Sequence, residues 1–234
     1  MKRCATLAVA VCLFIMAVGS AHAQQRGYVG IDVGATSDTF DSLPTANGVG
    51  VGVDGQIAVM KSNPKTETPN IVVGGEIVLP GDTQNHAKEY AVFGGPEFPF
   101  HNFTFGFHAQ LRKIYLPPST VDNQNFVRDK MELLEIPILV RYKFGPAKRA
   151  FVQAEGAPEF SPRFRSNGSL SGLPNPNFDH AYFVRGTVGY NFGKWYAKAA
   201  YENRYFKFVE NAGNPSNLYN WKTNSVYGGV GSVF

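Results

Sequence analysis

Val226-Tyr227-Gly228-Gly229-Val230-Gly231-Ser232-Val233-Phe234 decides the reading of this 234-residue chain. It reads as a strand that runs to the last residue and stops on an aromatic side chain. Chain ends usually fray into polar residues. An end inside a strand is therefore expected to be held by pairing. A closed β-barrel has that need, because its last strand must pair with its first to remove both edges.

Period-two alternation extends this reading along the chain. Phe103, Phe105, Phe107, Ala109 and Leu111 alternate with Thr104, Gly106, His108, Gln110 and Arg112. Leu134, Ile136, Ile138, Val140, Tyr142 and Phe144 form one face, with Glu135, Arg141 and Lys143 opposite. Tyr182, Val184, Val188, Tyr190 and Phe192 face away from Arg185, Thr187 and Asn191. Ile71, Val73, Ile77 and Leu79 oppose Glu76, and Trp195, Ala197, Ala199 and Tyr201 oppose Lys198, Glu202 and Arg204. Ten segments result: 26–36, 48–60, 70–80, 88–97, 103–115, 131–144, 150–160, 181–193, 195–208 and 223–234. The one candidate helix, Asp129 to Leu134, runs into Ile136-Pro137, which would break it.

The connections alternate in character. Residues 37–47, 81–87, 116–130, 161–180 and 209–222 are long or polar, whereas 61–69, 98–102, 145–149 and Gly193-Lys194 are mostly shorter. Long loops at one end and short turns at the other are the pattern of outer-membrane barrels. Phe98, Phe103, Tyr142, Phe144, Phe151, Tyr190, Phe192, Trp195 and Phe234 gather near the short turns, at the depth where aromatic rings suit a headgroup region.

Alternation alone permits two orientations. A soluble barrel or sandwich would turn the apolar face inward, and a membrane barrel would turn it outward. The number of Phe, Tyr and Trp on the apolar face exceeds what a small interior holds. The other face mixes glycine with both signs of charge, which suits a narrow lumen with paired ions. The expected fold is thus all-β: an antiparallel up-and-down transmembrane barrel of eight to ten strands, ten by count. Its candidate lumen charges are Glu76, Arg112, Glu135, Arg141, Arg185, Lys198, Glu202 and Arg204.

The other end agrees. Lys2 and Arg3 precede an apolar stretch from Ala5 to Val18, and Ala21-His22-Ala23 has the small-residue spacing of a signal-peptidase site. Residues 1–23 are expected to be a signal peptide cleaved after Ala23, leaving 24–234 as one barrel domain. Cys4 and Cys12 leave with it, so neither a disulfide nor a cysteine-based site is available. The 22 basic residues become 20 against 18 acidic ones, a balance that argues against nucleic acid. No mature stretch is long and apolar enough for a spanning helix.

Leu134-Glu135-Ile136-Pro137-Ile138-Leu139-Val140-Arg141-Tyr142-Lys143-Phe144 resembles a strand of the PorT-like outer-membrane β-barrel domain, a group related in architecture to the OmpA-type small barrels. Gly145-Pro146, the strand from Phe151 to Phe160, and Phe183 to Phe192 resemble the elements that follow it. The terminal Phe234 resembles the C-terminal assembly signal of outer-membrane barrels. The resemblance implies a non-enzymatic integral protein of the Gram-negative cell outer membrane, usually of eight strands. Ten segments here imply either an extra hairpin near 88–115 or two segments that do not span.

Motifs with a chemical look have plainer readings. Gly50-x-Gly52-x-x-Gly55 matches a dinucleotide fingerprint, but it sits inside an alternating strand with no helix to follow. His86, His101, His108 and His180 lack a metal-ligand spacing, so no metal or cofactor is expected. Asp179-His180 with Ser166, Ser169 and Ser171 could form a hydrolytic group, yet the serines lie in a turn-like stretch. The expected function is structural, surface-exposed or small and porin-like, without catalytic residues. A soluble lipocalin-like carrier and a lipid- or peptide-hydrolysing barrel are the alternatives. Expected partners are outer-membrane lipid, the barrel-assembly machinery and an external or adhesion partner at loops 161–180 and 209–222.

Overall fold

The computed structural model describes residues 27–40, 45–61, 69–83, 85–116, 130–165, 177–209 and 218–234. Residues 1–23, expected to be a signal peptide, and the three serines at 166, 169 and 171 lie outside them. The strands are β1 (Gly27–Phe40), β2 (Ala46–Met60), β3 (Asn70–Pro80) and β4 (Lys88–Phe100). Next come β5 in two pieces (Phe103–Phe107 and Ala109–Tyr115) and β6 in two pieces (Lys130–Glu135 and Ile138–Phe144). The last four are β7 (Ala150–Arg165), β8 (Asn177–Asn191), β9 (Trp195–Val209) and β10 (Leu218–Val233). Each pairs antiparallel with its sequence neighbours, and β10 returns to β1, so the sheet closes on itself. The protein is a closed ten-stranded antiparallel β-barrel.

The breaks in β5 and β6 face each other. Pro137 has no N–H to give the ladder, but its carbonyl accepts from the His108 N–H at 3.0 Å. Register is the same on both sides: Phe107 pairs with Ile138, and Gln110 with Glu135. Each pair of pieces is therefore one strand with a local gap, and the segment 103–115 is a full wall strand. The stretch from Lys130 to Leu134 is strand, not helix.

The strands run longer than the sequence suggests. Residues 161–165, 177–180 and 218–222 belong to β7, β8 and β10 rather than to loops. Pairing carries them on, as Lys130 opposite Arg165 illustrates. The connection from β1 to β2 therefore shrinks to 41–45, shorter than that from β2 to β3 at 61–69, and the contrast between the two ends is less regular than expected.

The outward face is apolar. Ile31 and Val33 are each 60 % exposed, and Val49, Val92, Leu111, Ile138, Val188 and Val230 are likewise open to the surroundings. From Tyr182 to Phe192, one residue past the end of β8, the outward face spans ten residue steps. At about 3.4 Å per residue and a tilt of about 40°, that is roughly 26 Å of height. The apolar band of a membrane barrel is about 25 Å tall. Phe98, Phe100, Phe103, Phe144, Phe192 and Trp195 stand exposed at the turn end. Phe151 is a correction to the expected girdle: it points inward, where a Cβ on Gly189 would lie 2.4 Å from its ring.

Candidate functional site: the barrel lumen

The inward residues of β9 step through the lumen from the turn end to the loop end. They read Tyr196, Lys198, Ala200, Glu202, Arg204 and Phe206. Because side chains alternate across a strand, each step is about 6.8 Å along it. Every layer has its own chemistry.

At the turn end Tyr196 meets Tyr28 edge to face, with ring centroids 5.3 Å apart. One layer in, Lys198 holds Asp32 at 3.0 Å and Asp54 at 2.9 Å. Mid-barrel, Arg185 pairs with Glu202 and reaches Glu76 at 2.9 Å. Arg112 reaches Glu89 at 2.6 Å, Glu135 at 3.2 Å and Glu76 at 3.3 Å. Arg204, with no exposed surface, contacts Glu135 at 2.5 Å, Glu202 at 3.3 Å and Glu159. These groups form one continuous belt across the lumen, since Glu76, Glu135 and Glu202 each bridge two arginines. A buried ion is tolerable only when it is paired and hydrogen-bonded, and sharing carboxylates between arginines pairs every arginine of the belt, leaving Arg204 Nε and one Glu159 oxygen without a hydrogen bond.

Beyond the belt the lumen turns apolar. Phe206 stacks on Trp221 with ring centroids 4.8 Å apart and planes at 12°. Ile114, Leu116, Met131, Leu133, Ala87 and Ala181 pack around that pair. The loop between β3 and β4 closes over this plug. His86, 2 % exposed, sits 2.7 Å from Asp38, which also accepts from Thr223 at 2.6 Å and Trp221 at 3.3 Å. A Cβ on Gly48 would lie 2.4 Å from the His86 ring, so the ring needs glycine beneath it. The hydrogen bond to Asp38 raises the His86 pKa above its ordinary value, against the effect of burial.

The structure brings Glu76, Arg112, Glu135, Arg185, Glu202 and Arg204 into the belt, and Lys198 into the layer beneath it. Arg141 stands apart, toward the turns. Its Nε donates to Gln153 at 2.8 Å, and its nearest carboxylate, Glu97, is 3.9 Å away. His108 also faces inward, stacked on Phe93 and 3.5 Å from Glu97. Sequence reasoning missed Glu89, Glu159, Asp32 and Asp54, although each follows the inward series of its strand. It also missed the plug, because Phe206 and Trp221 are apolar residues on the polar face.

Between the belt and the turns lies a cavity of about 650 Å³. A lumen of this strand number is mostly filled by side chains. This one is filled only in its loop-side part. Asp179 and His180 lie 3.2 Å apart on the exposed rim, and Asp179 also pairs with Lys207 at 3.0 Å. Gly50, Gly52 and Gly55 lie within β2, which leads to β3 through 61–69. Among the described residues no cluster of three or more potential ligands could hold a metal ion.

No family model matches the chain, and no curated protein does either. Among solved structures it is similar to Neisserial surface protein A, at 15 % identity and a TM-score of 0.41, over 89 % of this chain and 97 % of that one. It is also similar to the outer membrane protein AlkL, at 11 % identity and 0.40, over 92 % and 93 %. A third is Ail, the attachment invasion locus protein of Yersinia pestis, at 11 % identity and 0.28, over 89 % and 99 %. At such identities no function carries across.

Proposed function

We propose that this chain is an integral protein of the bacterial outer membrane, with a structural or surface role and a lumen closed to free diffusion. One observation carries the reading: the faces are inverted relative to a soluble barrel. Aliphatic side chains such as Ile31, Val33 and Val188 stand exposed, while Arg112, Glu135 and Arg204 are 2 % exposed or less. In water that exposure would cost hydrophobic free energy around the whole circumference, far beyond the patches tolerated on soluble proteins. In lipid it costs nothing, and closure of the sheet leaves the wall without an open edge. A lipocalin-like carrier would need the opposite faces.

The belt and the plug together favour a closed lumen over a porin-like conduit. The candidate lumen charges then hold the wall together rather than tune a current. The ten-stranded wall departs from the eight strands usual in the PorT-like group, so likeness to that group stays at the level of architecture. Membership of the wider class of small outer-membrane barrels implies export through residues 1–23, assembly by the barrel-assembly machinery and outer-membrane lipid as the surrounding partner. The connections from β7 to β8 and from β9 to β10, within 161–180 and 209–222, are the surfaces for an external partner, and the protein needs no catalytic residues.

The test uses the mature chain refolded in detergent. The reading expects dependence on amphiphile, a gel band that shifts on heating and silence in planar bilayers. Monodisperse behaviour in plain buffer would overturn the membrane assignment, and steady single-channel steps would overturn the closed lumen.

A further inference from the structure

We propose that the cavity between the ion belt and the turns is a binding site for a small hydroxylated organic anion, a sugar phosphate or sugar acid. At about 650 Å³ it has the size of a small-molecule pocket. Its floor is the belt, and His101, Ala147, Lys148, Arg149 and Gly193 from the turns form its rim.

The charges lining it are distributed unevenly. Its deep carboxylates already have cations: Asp54 has Lys198 at 2.9 Å, Glu76 has Arg185 at 2.9 Å, and Glu155 has Arg185 at 3.9 Å. Of the cations nearer the mouth, Arg141 alone has a carboxylate within 4 Å among the described residues. Lys143 and Arg149 make no ion pair among the described residues. The Lys148 ammonium donates to the backbone carbonyl of His101 at 3.3 Å. Arg141 spends its Nε on the neutral Gln153 at 2.8 Å and has Glu97 only at 3.9 Å. Four cations thus converge on one mouth, and a cleft lined by one sign of charge concentrates the field for a counter-ion. Arg141 has Nη1 3.9 Å from Glu97 and keeps Nη2 for a phosphate or carboxylate.

A second observation concerns the rest of the ligand. Tyr196, 7 % exposed, also lines the cavity, with its hydroxyl buried over Gly30. Thr104, Thr187 and Gln153 add uncharged polar groups, and Tyr28, Phe93 and Phe151 supply flat apolar walls. Hydroxyl-binding groups beside aromatic faces, under a cationic mouth, fit a charged sugar better than a bare ion.

Calorimetric titration of the refolded mature protein in non-ionic detergent tests this, with glucose 6-phosphate as probe. Saturable one-to-one binding is expected, lost with uncharged glucose and at least about tenfold weaker with Arg141→Gln or Lys143→Gln, the loss of one charge-assisted contact. Arg141→Lys should keep part of it, and Lys222→Gln, on the outer face at the other end, all of it. The heat-shifted gel band reports that each variant is folded. Short-chain phosphatidylglycerol forms a second arm: tighter binding there would assign the site to a lipid headgroup, and tighter binding of glucose 6-phosphate to a free solute. Absence of saturable binding in both arms, or binding that ignores Arg141 and Lys143, overturns the proposal.

Discussion

Arg204 illustrates what a single residue does in this lumen. It is fully buried, and Glu135, Glu159 and Glu202 all lean on it. Removing one member of a buried ion cluster leaves the others charged, desolvated and unanswered. Arg204→Met is therefore expected to lower the unfolding free energy by about 3–5 kcal/mol, read from urea titration in lipid vesicles. Adding Glu159→Gln should return part of that loss, because the excess negative charge falls. An unchanged midpoint in Arg204→Met would mean that water reaches the belt. The outward face allows the complementary experiment. Val188 is 55 % exposed near the middle of the outward band from Tyr182 to Phe192. Val188→Arg is expected to cost about 2–4 kcal/mol in a bilayer, as a charge at the membrane midplane does. The same change on a water-facing wall would be nearly neutral, so the value measures what surrounds the barrel.

At the scale of elements, the loop between β3 and β4 is the most informative, because one side chain ties it down. His86 reaches into the mouth to Asp38 on β1, and Asp38 in turn holds Trp221 and Thr223 on β10. The raised pKa means that the fold favours the protonated ring. Its contribution is complete below the unfolded value near about 6.5 and fades as pH rises through the higher folded value. The melting-temperature difference between the wild type and His86→Ala should therefore be largest at mildly acidic pH and shrink upward. A difference that grows with pH would contradict the tie. The strands themselves were legible because their period of two is local: each of the ten segments carries its own alternation, and even the break at Ile136-Pro137 left the faces of β6 in phase. Inward charges such as Arg185 and Lys198 were legible for the same reason. What pairs with what was not. That Glu76 bridges Arg112 and Arg185 follows from register across non-adjacent strands, which no single segment encodes. The plug was hidden too, since Phe206 and Trp221 obey alternation and break only its polarity. The strand extensions at 161–165 and 177–180 come from pairing with neighbours, against a composition rich in Pro, Asn and Ser.

The whole molecule depends on closure between β1 and β10. Their register runs without a shift from Tyr28 opposite Val233 to Phe40 opposite Trp221, and Gly27 and Phe234 extend it with two backbone hydrogen bonds at 2.9 and 3.0 Å. Closure couples the plug and the turn-side cavity, because each draws residues from both sides of this seam: Asp38 from β1 and Trp221 from β10 at the plug, Tyr28 and Tyr227 at the cavity. A covalent bond across the seam tests it directly. Ala35 and Val226 are register partners on the outward face, and cross-strand Cβ atoms in such pairs lie about 4.5–5.5 Å apart, near the reach of a disulfide. Both native cysteines, Cys4 and Cys12, lie in the first 23 residues, so Ala35→Cys with Val226→Cys would leave the barrel domain with a single possible bridge. Oxidation of the folded variant should leave its unheated gel band in place. After heating, the bridge ties residue 35 to residue 226 and keeps the chain in one large loop, so the oxidised band should migrate ahead of the reduced one. Failure to cross-link in the folded state, with free thiols at both positions, would mean that the seam is open and that the lumen is not enclosed.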